Sequence, residues 1–337
     1  MPESSPANSI ALNWRGERVL VTGGAGFIGS SLAERLLLEG AIVRVADDLS
    51  RGSMENLSGI IDKVEFLRLD LTDARNCALA SENMDYVFHL AASVGGIEYI
   101  KKANVGGLTP SVLMNINMLE AARRADVKRF MFASSACVYL ERSLDLNRFT
   151  EADAFPANPA TTYGWAKLLG EIACKAYYTD YGVHSCSARI FNAFGENESF
   201  DPKSSHVIPS FIRKAINYPK EGFRLFGDGK QERAFLYVKD CVEGFLRCIE
   251  KIDDGSPINL GSEEVVSIAD VAAQVVALSG KDIKVEYDLS GPQGTHRYCA
   301  ETTSMKRVLD WSPRTTFSDG LRNTFQWATK KLSVLAQ

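Results

Sequence analysis

The sequence predicts an α/β fold, a doubly wound parallel sheet of the Rossmann type followed by a smaller C-terminal portion. Three observations carry this. Short apolar runs alternate with helical periodicity from residue 17 to about Asn192, a pattern that demands right-handed crossovers and a sheet covered on both faces. The glycine-rich turn Gly23-Gly24-Ala25-Gly26-Phe27-Ile28-Gly29 follows the first run and opens the first helix. Beyond Asn192 the pattern loosens, with recurring Gly, Pro and Asn in FGENESFDPKSSH, NYPKEG and FGDGKQ.

The elements follow in order. Residues 1–16 are rich in Ser, Pro and Asn and read as a flexible N-terminus. Arg18–Thr22 is the first strand, and in the helix after it Ile28, Leu32 and Leu36 share a face, with Gly40 placed to end it. Ala41–Asp47, Val64–Leu69, Tyr86–Ala91 and Arg129–Ser134 read as the second to fifth strands, and Ser185–Ile190 as a further one. Val112–Ala125 and Thr161–Tyr181 are amphipathic helices. The nucleotide-binding domain is expected over 17–192, with a return near 236–250, and a mainly substrate-binding domain over 193–330.

Composition excludes several classes. The 337 residues hold 38 Lys+Arg against 42 Asp+Glu, a net charge of -4, which argues against a general nucleic-acid binder. No run of 18 apolar residues exists, so no membrane span is expected. The opening MPESSPANSIALNW has no basic segment leading into an apolar one, and a cytoplasmic location is the expectation. Seven cysteines lie scattered without C-x-x-C pairs, which predicts reduced thiols, no disulfide framework and no metal site.

The glycine turn points to a dinucleotide. Gly23 permits the tight turn, Gly26 lets the backbone approach a pyrophosphate, and Gly29 lets helix and strand pack closely. The phosphates then meet free N–H groups at a helix N-terminus. Asp47, at the end of the second strand, suits the hydroxyls of an adenosine ribose and repels a 2′-phosphate. NAD is therefore expected rather than NADP, although Arg51 is near. Asp70 ends the third strand, where it serves either the adenine amino group or its own turn.

Tyr163 and Lys167 stand four apart on one helix face, and Ser135 stands just past the fifth strand. A lysine beside a phenol lowers its pKa, so the Tyr can exchange a proton with a sugar hydroxyl while hydride passes to a nicotinamide. A Tyr-x-x-x-Lys pair is common by chance, and its place after the fifth strand is what makes it informative.

At this point the chain resembles the extended short-chain dehydrogenase/reductase family, over roughly residues 17–330. The resemblance rests on GGAGFIG, Asp47, HLAA (His89–Ala92), SSACVY (Ser134–Tyr139), YGWAK, RIFNAFG and DGKQERAFLYVKD. It implies an enzyme that binds NAD and a nucleotide-diphosphate sugar, commonly as a homodimer joined through the helices Val112–Ala125 and Thr161–Tyr181. It adds Phe27, Ile28, Leu71 and Ala91 to the cofactor contacts. It places Gly95, Ser135, Asn192, Lys214, Gln231, Arg233 and Arg297 towards the sugar nucleotide, where an arginine fork suits a diphosphate.

The loop after the fifth strand narrows the reaction. Family dehydratases carry Asp-Glu where this chain has Ala136-Cys137, so water elimination is not expected. SSACVYLE is similar to the branch that inverts C3 and C5 of a GDP-hexose. FDPKSSHVIPSFIRKA is similar instead to the GDP-4-keto-6-deoxy-sugar epimerase/reductases, whose catalytic His falls on His206. The 3,5-inverting branch has a Lys at that position, and this chain lacks it. A ketone at C4 acidifies the C–H bonds at C3 and C5, and two groups on opposite ring faces then invert a centre. Cys137, with a thiol pKa lowered from about 8.5, and His206, near about 6.5, are the expected pair. A redox-neutral epimerase of a GDP-hexose related to mannose is the leading expectation. A reductase consuming NADPH and a simple 4-epimerase with Cys137 idle are the alternatives. The remaining cysteines, His89 and His184 read as structural or surface residues, and His296 as a neighbour of phosphate.

Overall fold

A seven-stranded sheet, all of whose pairings are parallel, organises the molecule. The structure, a computed structural model, describes residues 12–93, 104–139, 148–202, 205–290 and 297–335. Its strands in chain order are β1 (Arg18–Thr22), β2 (Ile42–Asp47), β3 (Glu65–Arg68), β4 (Tyr86–His89), β5 (Arg129–Ser135) and β6 (Ser185–Ile190). They continue as β7 (Ala193–Phe194), β8 (Arg224–Phe226), β9 (Glu232–Ala234), β10 (Leu236–Tyr237), β11 (Asp254–Leu260), β12 (Val265–Ser267), β13 (Glu286–Asp288) and β14 (Arg297–Tyr298). The large sheet runs β11-β6-β5-β4-β1-β2-β3. Its order reverses between β1 and β4, and ligands of such sheets bind beyond the carboxyl ends of the strands at that reversal.

The strands read as continuous apolar runs because both faces are covered. Val19 and Val21 of β1 pack with Leu32 and Leu36 of the Phe27–Leu38 helix and with Phe245 and Ile249 of the Val238–Lys251 helix. Leu20 points the other way, into a second cluster with Val87, Met118, Leu119 and Phe132. A third cluster, built on Phe194, Ile208, Phe211, Phe223 and Leu321, forms the core of the later part of the chain.

Several elements differ from expectation. The helix predicted from Val112 begins at Asn104 and runs to Arg124 with Pro110 inside it. A proline leaves the carbonyl four residues back without its helical donor, and here Ser93 Oγ donates to that carbonyl, Gly106 O, at 3.1 Å. The return to the large sheet extends past the Val238–Lys251 helix, because β11 adds the seventh strand beside β6. The C-terminal third also carries two long helices, Ile268–Ser279 and Phe317–Leu335, which the loose pattern had concealed. Most of the N-terminal segment 1–16 lies outside the described residues. Of its described part, Trp14 is buried and meets Tyr86 edge-on at 5.0 Å. Among the described residues no helix is long and apolar enough to cross a membrane.

Candidate active site

The crevice at the sheet reversal is built by the ends of β1 and β4. Thr22 Oγ1 bonds His89 Nδ1 at 2.8 Å and accepts from the N–H groups of Leu90 and Ala91, both at 3.1 Å. The buried His89 is thereby a structural residue. Gly23 has φ +67°, and a Cβ there would stand 2.9 Å from Ala91 N. A Cβ on Gly29 would stand 2.2 Å from Gly23 O, so the helix starts as close to the turn as only glycine allows. Gly26 is the extended residue capping the helix without a side-chain bond, so the first-turn N–H groups remain available to an anion. Phe27 and Ile28 are partly buried against the third apolar cluster.

Asp47 ends β2 with 7% exposure. Its Oδ2 accepts from Ala25 N at 3.0 Å and its Oδ1 from Leu49 N at 2.8 Å, so the glycine turn itself orients the carboxylate. Burial raises its pKa, and the two backbone donors oppose that. Asp70 is exposed and accepts from Thr72 N and Oγ1, while the Leu71 side chain is buried and its carbonyl accepts from Cys77 Sγ. Glycines that leave no room for a Cβ, free N–H groups and a fixed carboxylate at the second strand's end fit a dinucleotide.

Ser135, Cys137, Tyr163 and Lys167 meet beside this cradle. Ser135 ends β5 and caps the short turn Ala136–Val138, its Oγ accepting from Cys137 N at 3.1 Å. The same hydroxyl hydrogen-bonds Tyr163. Thr161 Oγ1 caps the Thr162–Tyr181 helix by accepting from Gly164 N. A Cβ on Gly164 would stand 2.1 Å from Cys137 O, which is how the helix bearing Tyr163 comes against the Cys137 turn. Lys167 is 3% exposed, and its Nζ donates to Ala133 O at 2.6 Å. Burial lowers its pKa to about 8, against the opposing influence of Cys137 and Glu171.

One expectation is corrected here. The Tyr163 phenol is pushed up, not down: burial dominates, Cys137 adds to it, and only Ser135 opposes. Lys167 Nζ stands 5.7 Å from the ring centre with its bond given to Ala133, which is too indirect to offset desolvation. Of the seven cysteines, Cys137 alone is not fully buried.

Sequence patterning missed what lies beneath. Arg189 of β6, 1% exposed, makes a bidentate pair with Glu171, at 2.9 and 2.7 Å. Glu171 also accepts from Ser134 Oγ, and Arg189 Nη1 donates to Tyr139 OH at 2.9 Å and to Glu151 O at 2.8 Å. Tyr139 OH bonds Asn259 Oδ1 of β11 at 2.5 Å. Ser134 and Tyr139 flank the segment with Ser135 and Cys137, so both its ends are tied to one buried ion pair. Asn115 is a further omission. Its Oδ1 lies 3.2 Å from His89 Nε2, and its Nδ2 donates to Ala166 O, beside Lys167. The available signals were Glu171 one turn beyond Lys167 and a polar residue on the buried face of the Asn104–Arg124 helix.

His206 caps the Val207–Asn217 helix, and its Nδ1 lies 2.6 Å from Glu198 Oε1. That bond raises its pKa above the usual imidazole value. Asn192, at φ +45°, gives its Nδ2 to Ala234 O at 3.1 Å and Tyr298 O at 3.4 Å, so it joins three segments. Lys214 Nζ is occupied by Arg224 O at 2.6 Å, on the outer end of its helix. Gln231 precedes β9 and is half-buried, its carbonyl accepting from Ile268 N. Arg233 of β9 is in register with Tyr298, whose OH donates to Ala136 O in the Cys137 turn. Arg297 is in register with Glu232 and therefore leans to the other face, its Nε 2.8 Å from Glu232 Oε2. Gly95 and His296 lie outside the described residues.

Comparison with known proteins gives a consistent result. Residues 19–261 match the model of the NAD dependent epimerase/dehydratase family. GDP-mannose 3,5-epimerase 1 of Oryza sativa subsp. indica is 35% identical over 317 residues, covering 94% of this chain and 82% of that protein. The solved structure of UDP-glucose 4-epimerase with UDP-glucose from Thermotoga maritima superposes with a TM-score of 0.85 at 26% identity, covering 94% of this chain and 99% of that one. The NAD complex of UDP-glucose 4-epimerase from Thermus thermophilus gives a TM-score of 0.80 at 27% identity, covering 92% of this chain and 98% of that one.

Proposed function

The chain belongs to the NAD-dependent epimerase/dehydratase family, and from that premise we propose that it is a redox-neutral epimerase inverting C3 and/or C5 of a GDP-hexose related to mannose. The NAD held by the Gly23–Gly29 cradle and Asp47 supplies reversible hydride acceptance at C4. Tyr163, bonded to Ser135, would take the C4 hydroxyl proton as a phenolate, a form that the nicotinamide cation and the Lys167 ammonium would favour against the burial that pushes the phenol up, and would later return it. Ser135 and Tyr163 donate to the C4 oxygen while it carries enolate charge. Lys167, buried and anchored on Ala133 O, keeps a positive charge under that oxygen at neutral pH. Cys137 and His206 are the proton carriers for the ring carbons.

The observation that carries this reading is the position of Cys137. It is the one thiol that is not fully buried, and it lies close enough to both Tyr163 and Lys167 to influence their ionisation. A plain 4-epimerisation needs no thiol there. Similarity to a GDP-mannose 3,5-epimerase over 94% of the chain supports the same substrate class.

The test is incubation with GDP-mannose in D2O. Deuterium is expected at C3 and/or C5, lost in Cys137→Ala and in Tyr163→Phe, with no net change in nicotinamide absorbance. Interconversion at C4 of a UDP-hexose with no deuterium on carbon would make Cys137 idle and end the proposal, and stoichiometric NADPH consumption with a GDP-4-keto-6-deoxy-hexose would replace it with a reductase.

A homodimer is the assembly this reading carries. Trp165, Leu169 and Ile172 stand exposed on one face of the Thr162–Tyr181 helix. Leu113 and Ile116 are exposed on the Asn104–Arg124 helix packed beside it. An apolar stripe on two adjoining helices suits a four-helix contact with a second copy.

A further inference from the structure

The segment that leads to His206 is wound in an uncommon way. Asn192 (φ +45°), Gly195 (φ +152°) and Asn197 (φ +68°) all occupy positive φ within six residues. Such runs persist only where the surroundings fix them, and they cluster at functional sites. Here the winding turns Glu196 and Glu198 inward. Glu196 Oε1 accepts from Tyr237 OH at 2.6 Å, with Lys239 at 3.9 Å. Asn197 Nδ2 donates to Ser30 Oγ at 3.0 Å, on the helix that follows the glycine turn. Phe27 and Ile28 of that helix pack into the same apolar cluster as Phe200 and Val207.

Glu198 is 5% exposed. Its Oε1 faces His206 Nδ1 at 2.6 Å, and among the described residues its buried Oε2 has no hydrogen-bond partner. A desolvated carboxylate with one oxygen unsatisfied strongly favours a cationic partner. The imidazole is otherwise open, with 64% of its side-chain surface accessible. Among the described residues the charged groups of the flanking segments each have a partner. Glu196 is held as described, and Arg213 on the following helix is bound by Glu221, Phe200 O and Ser205.

We infer that Glu198 is a positioning residue for His206: it holds the ring through Nδ1, leaves Nε2 as the nitrogen that exchanges a proton with the sugar, and fixes that nitrogen's place relative to the dinucleotide helix. The inference rests on the reading of His206 as a proton carrier and deepens it. It makes His206 the proton donor at neutral pH, since a carboxylate at its back keeps the ring cationic, and leaves proton removal to Cys137. Activity in the direction that needs the cation is then lost as pH rises through the His206 pKa, and removing the carboxylate brings that loss to lower pH.

Two measurements test this. The chain has four histidines, so His206 is assignable in two-bond 1H–15N spectra of the whole protein by comparison with His206→Asn. The wild-type ring is expected to titrate above about 6.5 and to keep its neutral-form proton on Nδ1. In Glu198→Gln the titration should fall by about one unit, because the negative charge is gone while an acceptor for Nδ1 remains. Unchanged titration in that variant would refute the pairing, whether or not GDP-mannose is turned over.

The second measurement is carbon deuterium exchange into GDP-mannose as a function of pH. Glu198→Gln should move the alkaline limb about one unit lower with KM within about twofold, and Glu198→Asp should restore it. A profile merely scaled down, with its limb unmoved, is what a packing lesion gives and would overturn the positioning role. If His206→Asn exchanges as fast as wild type, the assignment of His206 as a proton carrier fails, while the spectra still report the pairing.

Discussion

Lys167 places a cation where the fold would rather have none. At 3% exposure its charged form is disfavoured, and its pKa falls from 10.5 to about 8. A lysine whose folded pKa lies below its unfolded one burdens the folded state at pH below about 8. That burden is relieved as pH rises from about 8 to 10.5, because the unfolded chain then binds more protons. Lys167→Met should therefore abolish turnover, and wild type should gain about 3 kcal/mol relative to the variant between about pH 7 and pH 10.5. Urea unfolding at the two pH values reads the difference, and a constant gap would show that Lys167 keeps its unfolded pKa in the fold. The shared face of Tyr163 and Lys167 was legible in the sequence because their spacing is local, and Ser135 because it follows a predicted strand. The upward push on Tyr163 was not, since its desolvation depends on how the helix seats against the Cys137 turn, which no spacing encodes.

At the scale of elements, the joint between the Cys137 turn and the Thr162–Tyr181 helix decides the site. Gly164 sits with the space for a Cβ already filled by Cys137 O at 2.1 Å. Gly164→Ala should push helix and turn apart, lower stability by about 1–3 kcal/mol, and cut kcat more than about tenfold with little change in KM. Chemical denaturation and steady-state kinetics check it, and an unchanged kcat would show that the close approach is incidental. Periodicity placed the strands of the large sheet to within a few residues, but not β11, whose Asp-Gly-Ser-Pro start reads as a turn. It missed the first turns of the Asn104–Arg124 helix as well, because Pro110 signals a break that Ser93 repairs from outside the helix. Arg189 and Glu171 were invisible for the same reason, since the partners lie on different elements and meet only through the packing of helix on sheet.

For the whole molecule, the exposed stripe Trp165, Leu169 and Ile172 sets the expected assembly. Sedimentation of wild type at micromolar concentration should give twice the 37.0 kDa chain mass, and Leu169→Glu with Ile172→Glu should give a single chain of unchanged helicity. Dimers that survive both changes would move the contact elsewhere.

The seventh strand has a consequence for how the molecule is made. Asn259 closes on Tyr139, and β11 shields β6, yet both lie about 70 residues beyond the end of β6. A nascent chain that has emerged only to Asn192 presents Ser185–Ile190 as a bare sheet edge, with the Arg189 cluster still lacking Asn259. The nucleotide-binding half therefore matures late, waiting on residues from the other half, and cut off at Asn192 it would keep that open edge.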